Sequence, residues 1–133
     1  MSEENVEIAR RAYEAFNRGD LQAMVADLAP NFEYATTGAI PGMTGVYRGV
    51  EGILGFLEWM RSEFERPRIE AHELVDAGDQ VVAAVTLRGR GKQSGVEASW
   101  DVWHVWTMEH GKVVHGQAFT SREEALEAAG LSE

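Results

Sequence analysis

The run Ser99-Trp100-Asp101-Val102-Trp103-His104-Val105-Trp106-Thr107-Met108 sets three tryptophans around one histidine. In an extended strand, side chains two apart share a face. Trp100, Val102, His104, Trp106 and Met108 therefore lie together, and Ser99, Asp101, Trp103, Val105 and Thr107 look the other way. An imidazole among large apolar rings can donate a hydrogen bond or move a proton, because its reference pKa of roughly 6.5 lies near neutrality. His104 is accordingly the acid/base candidate. Trp103 and Val105 make the second face apolar enough to be partly covered too, which places this strand inside a sheet.

Other chemistries lack the residues they need. The chain has no cysteine, which removes thiol nucleophiles, disulfides and thiolate metal sites together. His72, His104, His110 and His115 show no metal-ligand spacing, so no metal is expected. There is no G-x-S-x-G elbow, and Ser99 faces opposite His104, so a serine triad is unsupported. Residues 89–95, GRGKQSG, are glycine-rich without phosphate-loop or dinucleotide spacing and read as a hairpin turn; no cofactor is expected. A formal net charge of -10 repels phosphate backbones and anionic membrane surfaces, which argues against nucleic acid as a partner. No apolar run approaches the length of a membrane span. The start Met1-Ser2-Glu3-Glu4 lacks the basic and apolar regions of a signal peptide, which points to the cytoplasm.

The elements that must position His104 follow from periodicity. The 133 residues fit one domain spanning 1–133. Val6, Ala9, Ala12, Tyr13 and Phe16 have helical spacing over 5–17, ended by Asn17-Arg18-Gly19. Asp20 is an N-cap for a second short helix bearing Leu21, Met24, Val25 and Leu28, closed by Pro30. Residues 31–36 alternate as a first strand carrying Phe32, Tyr34 and Thr36 on one face. The Gly- and Pro-containing segment 37–45 reads as a loop, either a lid or an ordinary packed connection. Ile53, Phe56, Leu57, Met60 and Phe64 mark a core-facing helix over 50–65, stopped by Pro67. Four strands follow at 68–75, 80–90, 96–108 and 112–120, joined as antiparallel hairpins. Ser121 and Glu124 form a capping box for a short terminal helix ending at Gly130. Helices first and a curved antiparallel sheet afterwards make an α+β fold, with the long helix lying across the sheet.

Four stretches in this order, 9–34 (ARRAYEAFNRGDLQAMVADLAPNFEY), 47–60 (YRGVEGILGFLEWM), 76–85 (DAGDQVVAAV) and 104–114 (HVWTMEHGKVV), resemble the SnoaL-like branch of the nuclear-transport-factor-2-like superfamily. The resemblance spans nearly the whole chain. It implies a cone in which a curved sheet wraps a long helix around an apolar pocket, commonly in a homodimer. It also implies a catalytic history that this chain only partly keeps. His104 matches approximately the strand position where ketosteroid isomerases hold a protonated aspartate. The isomerase base position falls on Thr36, which is no base at neutral pH. The isomerase tyrosine falls on Ala12, with Tyr13 one residue away and turned about 100° around the helix. The His-x-Asp pattern of the polyketide cyclases falls on Gly116 and Ala118. Asp101 and Arg88 give no match to the Asp/Arg/Asp cluster of the epoxide hydrolases.

What remains inside is small or apolar. Tyr34, Thr36, Phe56, Leu57, Met60, Trp100, Trp106, Gly116, Ala118 and Thr120 would outline a pocket for a hydrophobic, even polycyclic, small molecule around His104. Tyr34 is read either as pocket lining with a free hydroxyl or as ordinary burial. Trp103 packs either at a subunit interface or under the terminal helix. Three functions stay open. One is a cofactor-independent isomerase, cyclase, lyase or hydrolase with His104 moving or donating a proton. The second is a non-catalytic binding module for an apolar molecule, suggested by Thr36, Gly116 and Ala118 at the vacated positions. The third is an interaction domain built on the Trp103 face.

Overall fold

The computed structural model describes residues 2–40 and 43–131. Helix α1 (Ser2–Arg18) carries Glu3 and Glu4 in its first turn and Arg18 in its last, charges that suit the two ends of the helix dipole. It buries Ile8, Ala9, Tyr13, Ala15 and Phe16. Gly19, at φ 78°, ends it in a left-handed conformation that costs glycine little. Helix α2 (Leu21–Val25) starts on Asp20, whose carboxylate accepts from the Ala23 amide at 3.1 Å. Strands β1 (Leu28–Ile40) and β2 (Met43–Arg48) precede α3 (Gly49–Glu63), which buries Ile53, Phe56, Leu57 and Met60. Strands β3 (Phe64–Ala77), β4 (Gln80–Gly91), β5 (Glu97–Glu109) and β6 (Lys112–Phe119) lead to α4 (Arg122–Ala128).

The strands form one curved, open six-stranded sheet in the order β2-β1-β6-β5-β4-β3. Its inner face packs on α1 and α3. The α+β architecture matches expectation, with helices leading, the sheet curved and a short helix last. No helix among the described residues is long and apolar enough to cross a membrane.

Strand alternation holds across β5. Val102, His104 and Met108 are buried in the core, with Trp100 and Trp106 packed against it. On the other face Trp103 packs with Val82, Val105, Ala125 and Leu126 beneath α4. The Arg122 guanidinium lies 5.4 Å from the Trp103 ring centre. Of its two expected settings, Trp103 thus has the terminal helix.

Four expectations are corrected. The sheet is mixed: β1 runs parallel to β6, with Tyr34 opposite Gly116. These strands are joined through the body of the fold rather than by a turn, so no hairpin dictates their direction. Helix α2 stops at Val25, and Leu28 to Pro30 open β1. The residue before a proline avoids the helical region, and Asp27 instead gives its carbonyl to the Val113 amide at 2.8 Å. Helix α3 stops at Glu63 rather than at Pro67, which sits inside β3 at a bulge between Glu65 and Arg68. β3 is an edge strand, where proline's missing N–H is tolerated. Finally, most of 37–45 is strand, with Thr36 opposite Gly45 and Ile40 opposite Met43. Pro41 and Gly42, the centre of the expected loop, lie outside the described residues.

One contact ties α1 to the edge. The Asn17 amide donates to the Ile69 carbonyl at 2.8 Å and accepts from the Ile69 amide at 2.7 Å. Both backbone groups of a residue on the free side of β3 are thereby satisfied.

Candidate functional site

His104 sits midway along β5 between two alanines, Ala83 on β4 and Ala118 on β6, both fully buried. Small neighbours on both sides leave room for the ring above the sheet. Two residues along, Trp106 lies opposite Gly116. A Cβ on Gly116 would stand 2.2 Å from the indole, so the ring occupies the space that any side chain at 116 would need. The position that the cyclase pattern gives to histidine is filled by an aromatic ring from the next strand.

Four side chains join in one hydrogen-bonded chain. The Trp106 indole N–H donates to the Tyr13 oxygen at 2.7 Å. Tyr13 Oη lies 2.8 Å from His104 Nδ1, and Tyr34 Oη lies 2.9 Å from His104 Nε2. An indole can only donate, so Tyr13 accepts from Trp106. Two proton orders satisfy both ring nitrogens. In the first, Tyr13 gives its proton to Nδ1 and His104 carries hydrogen on Nε2, which donates to Tyr34; in the second, Nδ1–H donates to Tyr13 and Tyr34 donates to Nε2. In the first order each link accepts on one side and donates on the other, the arrangement in which hydrogen bonds polarise one another. In that order the Tyr34 proton has no partner within the chain.

Burial decides the charges. His104 is pushed down to about 3 by desolvation, so its neutral form prevails throughout the physiological range. Burial raises the Tyr13 and Tyr34 hydroxyls well above their ordinary value, with the Trp106 hydrogen bond opposing the shift at Tyr13. The chain is therefore uncharged. With both ring nitrogens engaged, His104 presents no free nitrogen to the cavity.

These groups border an apolar cavity of about 80 Å³ between the sheet, α1 and α3. Of the residues expected around the pocket, Tyr34, Phe56, Leu57, Met60, His104 and Trp106 line it. Thr36, Trp100, Gly116, Ala118 and Thr120 do not. Thr36 is buried nearby, its hydroxyl bonded to the Gly45 carbonyl at 3.4 Å. Trp100 meets Phe64 edge to face, ring centres 5.5 Å apart. Ala118 is covered beside His104 in the sheet. Thr120 is exposed, because β6 ends at Phe119 and the chain bends there toward the cap of α4.

The residue missed from sequence is Tyr13, half of the arrangement around His104. Its place on the buried stripe of α1 was legible; the tilt that carries its hydroxyl to β5 was not. Asp27 also borders the cavity, but its partly exposed carboxylate faces Arg11 at 3.3 Å. Among the described residues no group of His, Asp or Glu is placed to hold a metal ion.

Comparison with known proteins adds a family and a fold. Residues 9–116 match the SnoaL-like domain family. No curated protein matches. Among solved structures, an NTF2-like protein of Burkholderia thailandensis E264 is 29% identical, covering 96% of this chain and 97% of that one with a TM-score of 0.79. An NTF2-like protein of unknown function from Burkholderia pseudomallei K96243 is 27% identical over 93% and 95% of the two chains, TM-score 0.79. TerC, co-crystallised with polyporic acid, shares the fold at 24% identity over 96% and 98%, TM-score 0.78.

Proposed function

The chain belongs to the SnoaL-like domain family, and from that premise we propose that it takes an uncharged, apolar small molecule and hydrogen-bonds its carbonyl or similar acceptor through Tyr34. The observation that carries this reading is the neutral chain Trp106–Tyr13–His104–Tyr34 set in walls that are apolar but for Asp27, which is turned to Arg11. A charged ligand would find no counter-charge beside that chain, and burying an unpaired charge is costly. A neutral acceptor finds a polarised hydroxyl, which strengthens its hold as negative charge develops on the bound oxygen. That is the electrophilic half of a cofactor-independent isomerase, cyclase or lyase reaction, with His104 as the relay between two phenols.

The size of the cavity bears on the guest. About 80 Å³ is well short of the roughly 300 Å³ at which drug-sized pockets begin. A single-ring molecule already requires some opening, and a polycyclic one requires much more. Met24, Met60 and Met108 lie in the wall, and methionine is the side chain most able to repack around a guest. The TerC complex, a related fold crystallised with polyporic acid, supports the small-molecule reading.

A second reading, a binding module without turnover, is favoured by one observation: apart from Asp27, turned to Arg11, the cavity wall carries no carboxylate among the described residues to serve as base. Incubation with single-ring and polycyclic ketones, followed by mass analysis and tryptophan fluorescence, separates the two. Product that disappears in Tyr34→Phe supports catalysis. Quenching without product supports binding alone. Unquenched fluorescence across the panel overturns both.

A further inference from the structure

On the outer face of the same sheet the charge pattern reverses. Arg66, Arg68, Arg88 and Arg90 line one open cleft of about 880 Å³ at the start of β3 and the end of β4, against Glu65 and Glu97. The chain as a whole carries a formal charge of -10, so four arginines against Glu65, Glu97 and the Glu70 that pairs with Arg88 leave this face locally positive. It is separate from the cavity: Val85 and Leu87 of β4 point inward to the cavity, while Arg88 and Arg90 line the cleft.

Two features of the backbone hold the arginines together against their repulsion. Arg68 and Arg88 are direct cross-strand partners, and like charges so placed destabilise a sheet. Arg88 is held by Glu70, and Arg90 stands at the limit of ion pairing with Glu97. Arg66 and Arg68 have no carboxylate at ion-pair distance among the described residues. Arg66 also has φ 46°, a left-handed conformation unfavourable for a residue with a side chain and more so before a proline. It lies in the bulge where Arg66 and Pro67 together oppose Gly89. Bulges re-aim side chains, and this one turns a cation into a cleft that already holds three.

We infer that this cleft is a binding site for a phosphate-type oxyanion. Guanidinium groups offer paired N–H donors that match such oxygens, and Arg66 and Arg68 hold no carboxylate among the described residues that the anion would have to displace. The site needs no contribution from the cavity, and its failure would leave the reading of Tyr34 untouched.

The test is titration of the ¹⁵N-labelled full chain with inorganic phosphate, ionic strength being held constant with chloride. Saturable shifts confined to 65–68 and 88–99 are expected. Arg68→Gln and Arg90→Gln should each weaken binding roughly tenfold, the loss of one charge-assisted contact, with circular dichroism unchanged. The proposal is overturned by shifts that never saturate, or by both variants binding as tightly as the parent. It is also overturned if the substitutions change only the sedimentation of the chain, which would make the cleft a contact between copies.

Discussion

The Trp106 indole rests on the backbone of Gly116, its cross-strand partner, so closely that a Cβ there would stand 2.2 Å from the ring and 3.1 Å from Tyr34. Gly116→Ala must push the indole away, and with it the N–H that anchors Tyr13. Overpacking of this kind costs about 1–3 kcal/mol. A lowered Tm together with a shift in tryptophan emission is expected; an unchanged Tm would mean the ring is not held here.

The two tyrosines differ in the number of partners they hold. Tyr13→Phe strands both the Trp106 N–H and His104 Nδ1, and buried groups left unpaired cost about 1–3 kcal/mol each. Tyr34→Phe removes the partner of a single ring nitrogen. Denaturant unfolding should therefore show Tyr13→Phe as the more destabilised variant, whereas ligand binding should suffer more in Tyr34→Phe. Equal effects of the two substitutions on both measurements would contradict this division of roles.

The buried imidazole makes stability depend on pH. His104 titrates near 6.5 when unfolded and at about 3 when folded. As pH falls below 6.5 the unfolded chain takes up the proton first, so the contribution is complete above 6.5 and is lost progressively toward 3. The slope from this one group is at most about 1.4 kcal/mol per pH unit. Between pH 6.5 and 5, above most carboxylate titrations, the parent should lose stability more steeply than His104→Gln. Parallel profiles would count against a buried neutral His104.

Asn17 fastens helix to sheet edge through both of its amide atoms. Asn17→Ala should cost roughly 1–3 kcal/mol and speed amide exchange around Ile69. Exchange in β3 that matches the parent would show that the edge is held by other contacts.

How much of this was legible beforehand depends on the range of the signal. Asp20 and Ser121 announced their helices because a cap is decided within four residues. The split of Trp100, His104 and Trp106 from Trp103 followed from strand period alone. Pro30 and Pro67 misled, since each reads locally as a helix stop yet sits in a strand that long-range pairing imposes. Tyr13 was the costliest omission. Its helix face was visible, but the orientation of α1 against β5 is set by Asn17 on Ile69 and by the packed core, relations that no local window contains. Gly116 read as an absent catalytic residue; only the sheet register shows it as space reserved for Trp106.

The parallel pairing of β1 with β6 has a bearing on how the molecule comes into being. Strands β3 to β6 follow one another through short turns and can zip together as neighbours, whereas Tyr34 must wait for Gly116, far along the chain. Closing so large a loop is entropically expensive, which slows folding in proportion to such distant contacts. Tyr13 and Tyr34 emerge from the ribosome long before His104 and Trp106, and the relay is complete only when the last strand has docked. The hydrogen-bonded chain can thus serve as a clock for folding: tryptophan emission at Trp106 should reach its native value in the final kinetic phase.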